Sequence, residues 1–389
     1  MNNQLYLFII WEKSRHKSNL IINDIKTKFV IKEIFEVKWS EEYFLNNLIR
    51  FYGYALPDVK KKALLSGTGP FLLILVQDQN PNFIENVGFY GKLKTNENIS
   101  KNKMKYRKWI GEKYSIHGSI SEKETNHDLT LLLGKTALEI INELPDHWDG
   151  TIKQLELDLF GHGGCKNMRQ FLKMLNGTIK YIILRNFEEL PEKFISNEHN
   201  DIDILTNDTI IVPFVCMIAG KNLPNEKLPG SVKIGENVVA IDWKHPGDKY
   251  YDKRWYDNIL KKAVLHKNGF YVPSSEDYFY TLFYHAIFHK KKISEDYRNK
   301  LLKLAAELNI TEVSENMLNN FDLSKKFIES YLHKMKYRHT YSSIYKLTNN
   351  EFLRLIKTTK FLLKTQGTLF VLNEIKNKVK RVIEKNNLN

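Results

Sequence analysis

The chain has 389 residues, with 42% hydrophobic residues, 12% aromatics and a formal net charge of +14. These fractions exclude a disordered chain, and the length exceeds one ordinary core, so two or three domains are expected. The charge favours anionic partners such as nucleotides, but the basic residues are scattered and no aromatic ladder interleaves with them, so nucleic acid is the weaker expectation.

Cys165 and Cys216 lie far apart without CxxC spacing, which argues against a disulfide framework or a structural zinc site and for a reducing, cytoplasmic compartment. The start, MNNQLYLFIIWEK, lacks the basic region and the cleavage site of a leader. The longest apolar stretch, IIVPFVCMIAG at 210–220, is half a membrane span and contains Pro213, so no membrane span is expected.

The first segment alternates strand and helix patterns. LYLFIIW (5–11) reads as a buried strand, NLIINDIKTKF (19–29) as an amphipathic helix, and VIKEIFEVKW (30–39) as an alternating strand. EEYFLNNLIRFYG (41–53) reads as a helix closed by Gly53, and GPFLLILVQ (69–77) as a central strand. A basic, Asn-rich stretch (94–113) follows, then YSIHGS and a helix expected over 122–133. The helices are expected on one face of the sheet. Residues 144–150, LPDHWDG, read as a hinge.

A second α/β segment follows, with strands at KYIILRNF (180–187), DIDIL (201–205) and NVVAIDWKH (237–245). Before them, GHGGCKNMRQFLKML (161–175) reads as a turn and a helix, whose start either holds phosphate or is only a flexible domain entry. From Ser274 the pattern is helical to a basic tail.

In NEHNDIDILTND, strand alternation puts Asp201 and Asp203 on one face and Ile202 and Ile204 on the other. Two carboxylates so close repel, so either that face is open to water or a cation sits between them. VVAID ends in Asp242, a third carboxylate on a neighbouring strand. Such a set suits a divalent metal and phosphoryl transfer: two acids bind magnesium on a triphosphate, and the third completes a second ion site or takes a proton. His199, just before the strand, either shields phosphate or caps a loop.

The run YIILRNFEELP, then HNDIDILTND, then VVAIDW resembles the nucleotidyltransferase superfamily with the polymerase-beta-like fold, over roughly residues 150–275. The resemblance implies a small mixed sheet, an NTP substrate and Mg²⁺ held by Asp201, Asp203 and Asp242, with room for a second ion. Asp242 would be a second-site ligand or the catalytic base. Many members carry Gly-Ser at the turn that cradles the triphosphate; this chain has Arg185 and Asn186, which would contact the nucleotide. Relatives of this kind tend to lie in bacterial surface-polysaccharide pathways, which implies a small-molecule or saccharide-linked hydroxyl or phosphate as acceptor.

SGTGPFLLILVQDQN (66–80), KMKYRKWIG (103–111) and YSIHGSISEKETNHDLTLLL resemble the nucleoside diphosphate kinases over about residues 4–134. That resemblance implies a ferredoxin-like fold, with His117 as the phosphate-accepting histidine and Arg107 as a phosphate contact. Two departures stand out. The family's lysine-proline-aspartate is Trp11-Glu12-Lys13, with the cation missing or displaced to Lys13, and its asparagine before the histidine is Tyr114.

In SSEDYFYTLFYHAIFHKKKISEDY, Ser274 or Ser275 precedes acids suited to a helix start. His285 and His289 share a face at i, i+4. They are either core and surface residues or, with Lys290, line the cleft and meet substrate phosphate; similar helices follow the catalytic domain in some bacterial relatives. The expected fold is therefore α/β (α+β), with a kinase-type domain over 1–140, a nucleotidyltransferase-like domain over 150–275 and a helical domain over 276–389. The expected activity is Mg²⁺-dependent nucleotidyl (or phosphoryl) transfer. The alternative is a catalytically degenerate nucleotide-binding, regulatory or scaffold protein.

Overall fold

The computed structural model describes residues 4–53, 56, 58–88, 91–193, 201–208, 211–216, 231–246, 248 and 250–339; His199 and the basic tail lie outside them. The chain is mixed α/β with mixed sheets. In the amino-terminal part, β1 (Leu5–Ile10), α1 (Ser18–Lys26), β2 (Val30–Lys38), α2 (Phe44–Tyr52), α3 (Val59–Ser66) and β3 (Phe71–Gln77) come first. A hairpin of β4 (Phe83–Gly88) and β5 (Gly91–Asn96) leads to α4 (Glu97–Ile110), β6 (Ile116–Gly118), α5 (Glu122–Leu133), α6 (Ala137–Ile141) and β7 (Lys153–Glu156).

The main sheet has the order β6-β1-β3-β2-β7. Its first four members pair antiparallel, and β7 joins β2 in parallel. Strand β7, beyond the hinge at 144–150, thus belongs to the first sheet, and the Trp148 amide donates a hydrogen bond to the Ile31 carbonyl of that sheet at 3.0 Å. Because β1 is apolar at every position, both faces need cover. Leu5, Leu7 and Ile9 pack with Phe44 and Leu48 of α2 and Leu129 of α5. Tyr6, Phe8 and Ile10 pack on the other face with Ile21 and Ile25 of α1 and Tyr106 of α4. The expectation of helices on one face is corrected by this two-sided burial.

Helix α4 lies in the basic stretch that shows no period. Only Ile99 and Tyr106 are buried in it, too few to mark a stripe. Its ends are specified instead: the Asn96 side chain accepts from the amides of Asn98 and Ile99, and Gly111 closes it in the left-handed region.

The second part contains α7 (Met168–Thr178), β8 (Tyr181–Ile183), β9 (Asp201–Thr206), α8 (Val212–Val215), β10 (Ser231–Ile234) and β11 (Asn237–Lys244). Its sheet runs β10-β11-β9-β8, with β9 and β11 parallel and the outer pairs antiparallel. Strand β8 is shorter than the apolar run at 180–187, because the chain turns away at Arg185–Asn186, where Asn186 is left-handed with φ 57°. Next come α9 (Lys253–Lys261), the hairpin β12 (Val264–Leu265) and β13 (Tyr271–Val272), and α10 (Ser275–Tyr284). A π-helical turn (His285–Lys290), α11 (Glu295–Glu307), α12 (Glu315–Asn319) and α13 (Phe321–Lys334) complete the described chain. Ser274 caps α10 as expected, accepting from the Asp277 amide. These helices share one core with the second sheet, through Trp255, Phe279, Phe283 and Leu301.

Helix α5 packs against α7 and so joins the two sheets. A Cβ on Gly177 would meet Thr130 Oγ1 at 1.9 Å, so the glycine permits the close approach. Lys123 of α5 forms an ion pair with Asp208, just past β9. In an open helix, Gly→Ala gains roughly 1 kcal/mol. Here Gly177→Ala is expected to destabilise by about 1–3 kcal/mol through overpacking, with Thr130→Ala restoring part of the loss. Urea unfolding of the two single variants and the double variant checks this coupling.

Candidate functional site

The strand alternation read from the sequence holds in β9. Ile202 and Ile204 are buried in the core, and Asp201 and Asp203 take the other face. The parallel pairing with β11 sets Asp242 directly opposite Asp203. Carboxylate oxygens of Asp201, Asp203 and Asp242 all lie within 4.8 Å of one another. Asp201 and Asp242 are exposed, whereas Asp203 is only 6% exposed. The face is thus open at its two outer acids and closed at the middle one.

Two cations meet this cluster. Arg185, two residues beyond β8, is itself buried and donates from Nη2 to Asp203 Oδ1 at 2.6 Å. The Leu184 amide, bonded to the Asp203 carbonyl at 2.9 Å, fixes the backbone that carries it. Lys244 Nζ donates to Asp242 Oδ2 at 2.5 Å and lies 4.5 Å from the ring centre of Tyr250. Burial raises the Asp203 pKa, and the charges of Asp201 and Asp242 add to that, while Arg185 and Lys244 hold it back. Burial also works against the Arg185 charge, but Asp203 and the surrounding tyrosines outweigh it and hold the guanidinium firmly protonated. Three hard oxygen donors, two of them open to solvent, fit a magnesium ion that keeps part of its water shell.

Asp201, alone of the three carboxylates, lines a cleft of about 740 Å³, where the cations Arg185, Lys193, Lys300 and Lys303 alternate with Glu188, Glu189, Asp296 and Glu307, and Asn186 lies beside Arg185. Lys300, on α11, donates to Asn186 Oδ1 at 3.3 Å and pairs with Asp296 at 3.1 Å. The structure therefore brings Asp201, Asp203, Asp242, Arg185 and Asn186 together. Lys290 is exposed at the end of the π-helical turn, near His285.

His285 and His289 stand apart from the cleft lining, as a wall behind Tyr250. His285 Nδ1 meets the Tyr250 hydroxyl at 2.5 Å, and the His289 ring stacks on Tyr250 at 4.0 Å, with 3° between the planes. Both histidines are therefore packed on Tyr250, within reach of the charges of Arg185 and Lys244.

The turn at 161–165 is committed to structure. Gly161, Gly163 and Gly164 have positive φ, and a Cβ on Gly164 would meet the Lys233 side chain at 2.7 Å. The Cys165 amide donates to the Lys233 carbonyl, the His162 amide to Leu159 and the Gly164 amide to Gly161. These bonds fasten the loop to β10.

In the first sheet, His117 is buried on β6 opposite Ile9. Its Nε2 lies 2.7 Å from Asp128 Oδ2, and the second oxygen of Asp128 meets His127 Nδ1 at 3.2 Å. Burial works against the Asp128 charge, yet the two histidines hold its pKa below the usual carboxylate range. Arg107 reaches the same neighbourhood, donating from Nε to the Ile116 carbonyl at 2.9 Å. Lys13 does not: it is directed to the Leu64 carbonyl at 2.8 Å. The cation that approaches Trp11 is Lys62, buried, with Nζ 4.6 Å from that ring's centre and 2.6 Å from the Tyr114 carbonyl. Trp11 is fully buried among Trp39, Phe71 and Tyr52, so an indole fills the end of β1 where the sequence places a departure.

Several of these residues escape a reading of the sequence. Lys244 is in phase with Asp242 by the period of two and was findable. Lys62, Tyr250 and Asp128 depend on tertiary packing and carry no local signal.

Burial pulls the His289 pKa from 6.5 down to about 4, with Arg185 and Lys244 adding to the effect. An unfolded histidine binds its proton near pH 6.5 while the folded one stays neutral, so this contribution to stability is complete above pH 6.5 and is lost as pH falls toward 4. His289→Phe keeps the stacking ring and removes the titration. Between pH 7 and 4.5 the variant is expected to lose about 2 kcal/mol less than the wild type, read from urea unfolding at both values.

Comparison with protein-family models, with curated proteins and with solved structures returns no match, so the functional reading stands on the residues and their geometry.

Proposed function

We propose that the chain is a Mg²⁺-dependent nucleotidyltransferase of the polymerase-beta-like kind, transferring from an NTP to a hydroxyl or phosphate of a small molecule or saccharide. The observation that carries this is the convergence of Asp201, Asp203 and Asp242 on parallel β9 and β11, beside a cleft of about 740 Å³. Bound magnesium would neutralise the triphosphate and polarise the transferred group. The protein's own residues do the rest. Asp201 and Asp203 provide the ligands, and Asp242 completes the set or accepts the acceptor's proton. Arg185, Lys300 and Lys303 line the cleft as cations for phosphate oxygens, and Asn186 is held in place by Lys300. The Tyr250–His285–His289 wall supports Lys244 from behind.

The amino-terminal sheet supports a second, weaker reading. Its antiparallel order β6-β1-β3-β2 is that of a ferredoxin-like fold, in keeping with a kinase-type domain. Trp11 at the end of β1 favours a binding or docking role for that domain over phosphoryl transfer through His117. No helix among the described residues is long and apolar enough to cross a membrane, and the two cysteines are free and buried, which supports a reducing compartment.

Equilibrium titration of each NTP with and without Mg²⁺ tests the first reading. Asp201→Asn and Asp242→Asn, both at exposed positions, are expected to weaken Mg²⁺-dependent binding by on the order of 10–100-fold at unchanged melting temperature. Asp203→Asn should also cost about 3 kcal/mol of stability, because it leaves the buried Arg185 without a carboxylate. Binding that ignores both the metal and the carboxylates would sink the proposal.

A further inference from the structure

This inference rests on the metal–nucleotide reading above and deepens it. The three carboxylates of the cluster are met by two cations of the chain itself: Arg185 on Asp203 and Lys244 on Asp242. Asp203 is the most buried of the three acids, and its Oδ1 is taken by the guanidinium at 2.6 Å. A divalent ion bridging Asp203 and its neighbours must enter the position next to that guanidinium. Two cations on one carboxylate repel, so the incoming ion and Arg185 compete for Asp203. Arg185 also lines the cleft, beside Asn186, Lys300 and Lys303. A guanidinium released from Asp203 therefore has an adjacent place to go, and its fork of donors suits phosphate oxygens.

We infer that Arg185 is a resident counter-ion: it neutralises Asp203 while no metal is bound, and on metal entry it moves into the cleft to hold the nucleotide's phosphate groups. Arg185 is then a positioning residue that couples two ligands. Metal alone binds weakly because it must displace Arg185. Metal with a polyphosphate binds well because the displaced charge gains a partner, and by linkage each ligand strengthens the other.

Removing the guanidinium should therefore act with opposite signs on the two ligands, whereas simple damage to the fold would weaken both. The probes are Mn²⁺ alone, followed by electron paramagnetic resonance, and tripolyphosphate with saturating Mg²⁺, followed by calorimetry, on the full chain. Arg185→Gln is expected to bind Mn²⁺ at least about tenfold more tightly than wild type and Mg²⁺–tripolyphosphate at least about tenfold more weakly. Equal or weaker Mn²⁺ binding by a folded variant overturns the exchange. If Arg185→Gln fails to fold, the wild type still decides. The Nε–Hε resonance of Arg185, assigned by its loss in Arg185→Lys, should shift on addition of Mg²⁺, and a resonance unmoved at saturating Mg²⁺ overturns the inference. Absence of Mn²⁺ binding in both proteins overturns the metal reading together with the exchange, whereas Mn²⁺ binding that depends on Asp201 and Asp242 but not on Arg185 overturns the exchange alone.

Discussion

A carboxylate buried beside two others has to be neutralised, and Asp203 is in that position. Its place in β9 follows from strand alternation, and its burial follows from the shared core of the second sheet and the carboxy-terminal helices. Arg185, Lys244, Tyr250 and the two histidines are all arranged around that need. The neutral histidines belong to the same arrangement. With two cations close by, a further positive charge would be repelled, and burial keeps His285 and His289 without one.

The same logic accounts for the contrast between the two parts of the chain. The first sheet gathers His117, Asp128, Arg107 and Lys62, but Asp128 is buried between His117 and His127 and the strand end is filled by Trp11. The second sheet leaves Asp201 and Asp242 exposed and sets a cleft next to Asp201. Helix α5 ties the two together. It carries Asp128 toward His117 on one side, and on the other it meets α7 through Thr130 and Gly177. The covalent order of the chain is thus backed by a tight seam between the parts.

Much of this is legible in the sequence. The apolar runs of β1 and β3, the Asp-Ile-Asp alternation, the Gly53 helix stop and the Ser274 cap are local signals, and local physics realises them. What failed was non-local. Helix α4 has a weak stripe and is defined by its caps, and the second face of the first sheet is covered by helices whose destination no period announces. That β9 and β11 are neighbours is legible, but their parallel register, which sets Asp242 against Asp203, is not. The glycine turn stays open between a phosphate site and a domain entry in the sequence, because its composition says nothing of Lys233, whose carbonyl accepts the Cys165 amide.

The most direct measurement is anomalous diffraction from crystals grown with Mn²⁺ and a non-hydrolysable NTP. The account predicts a manganese peak bounded by Asp201, Asp203 and Asp242, with the triphosphate in the cleft next to Arg185. Manganese bound elsewhere, or a triphosphate seated against His117 and Arg107, would contradict it.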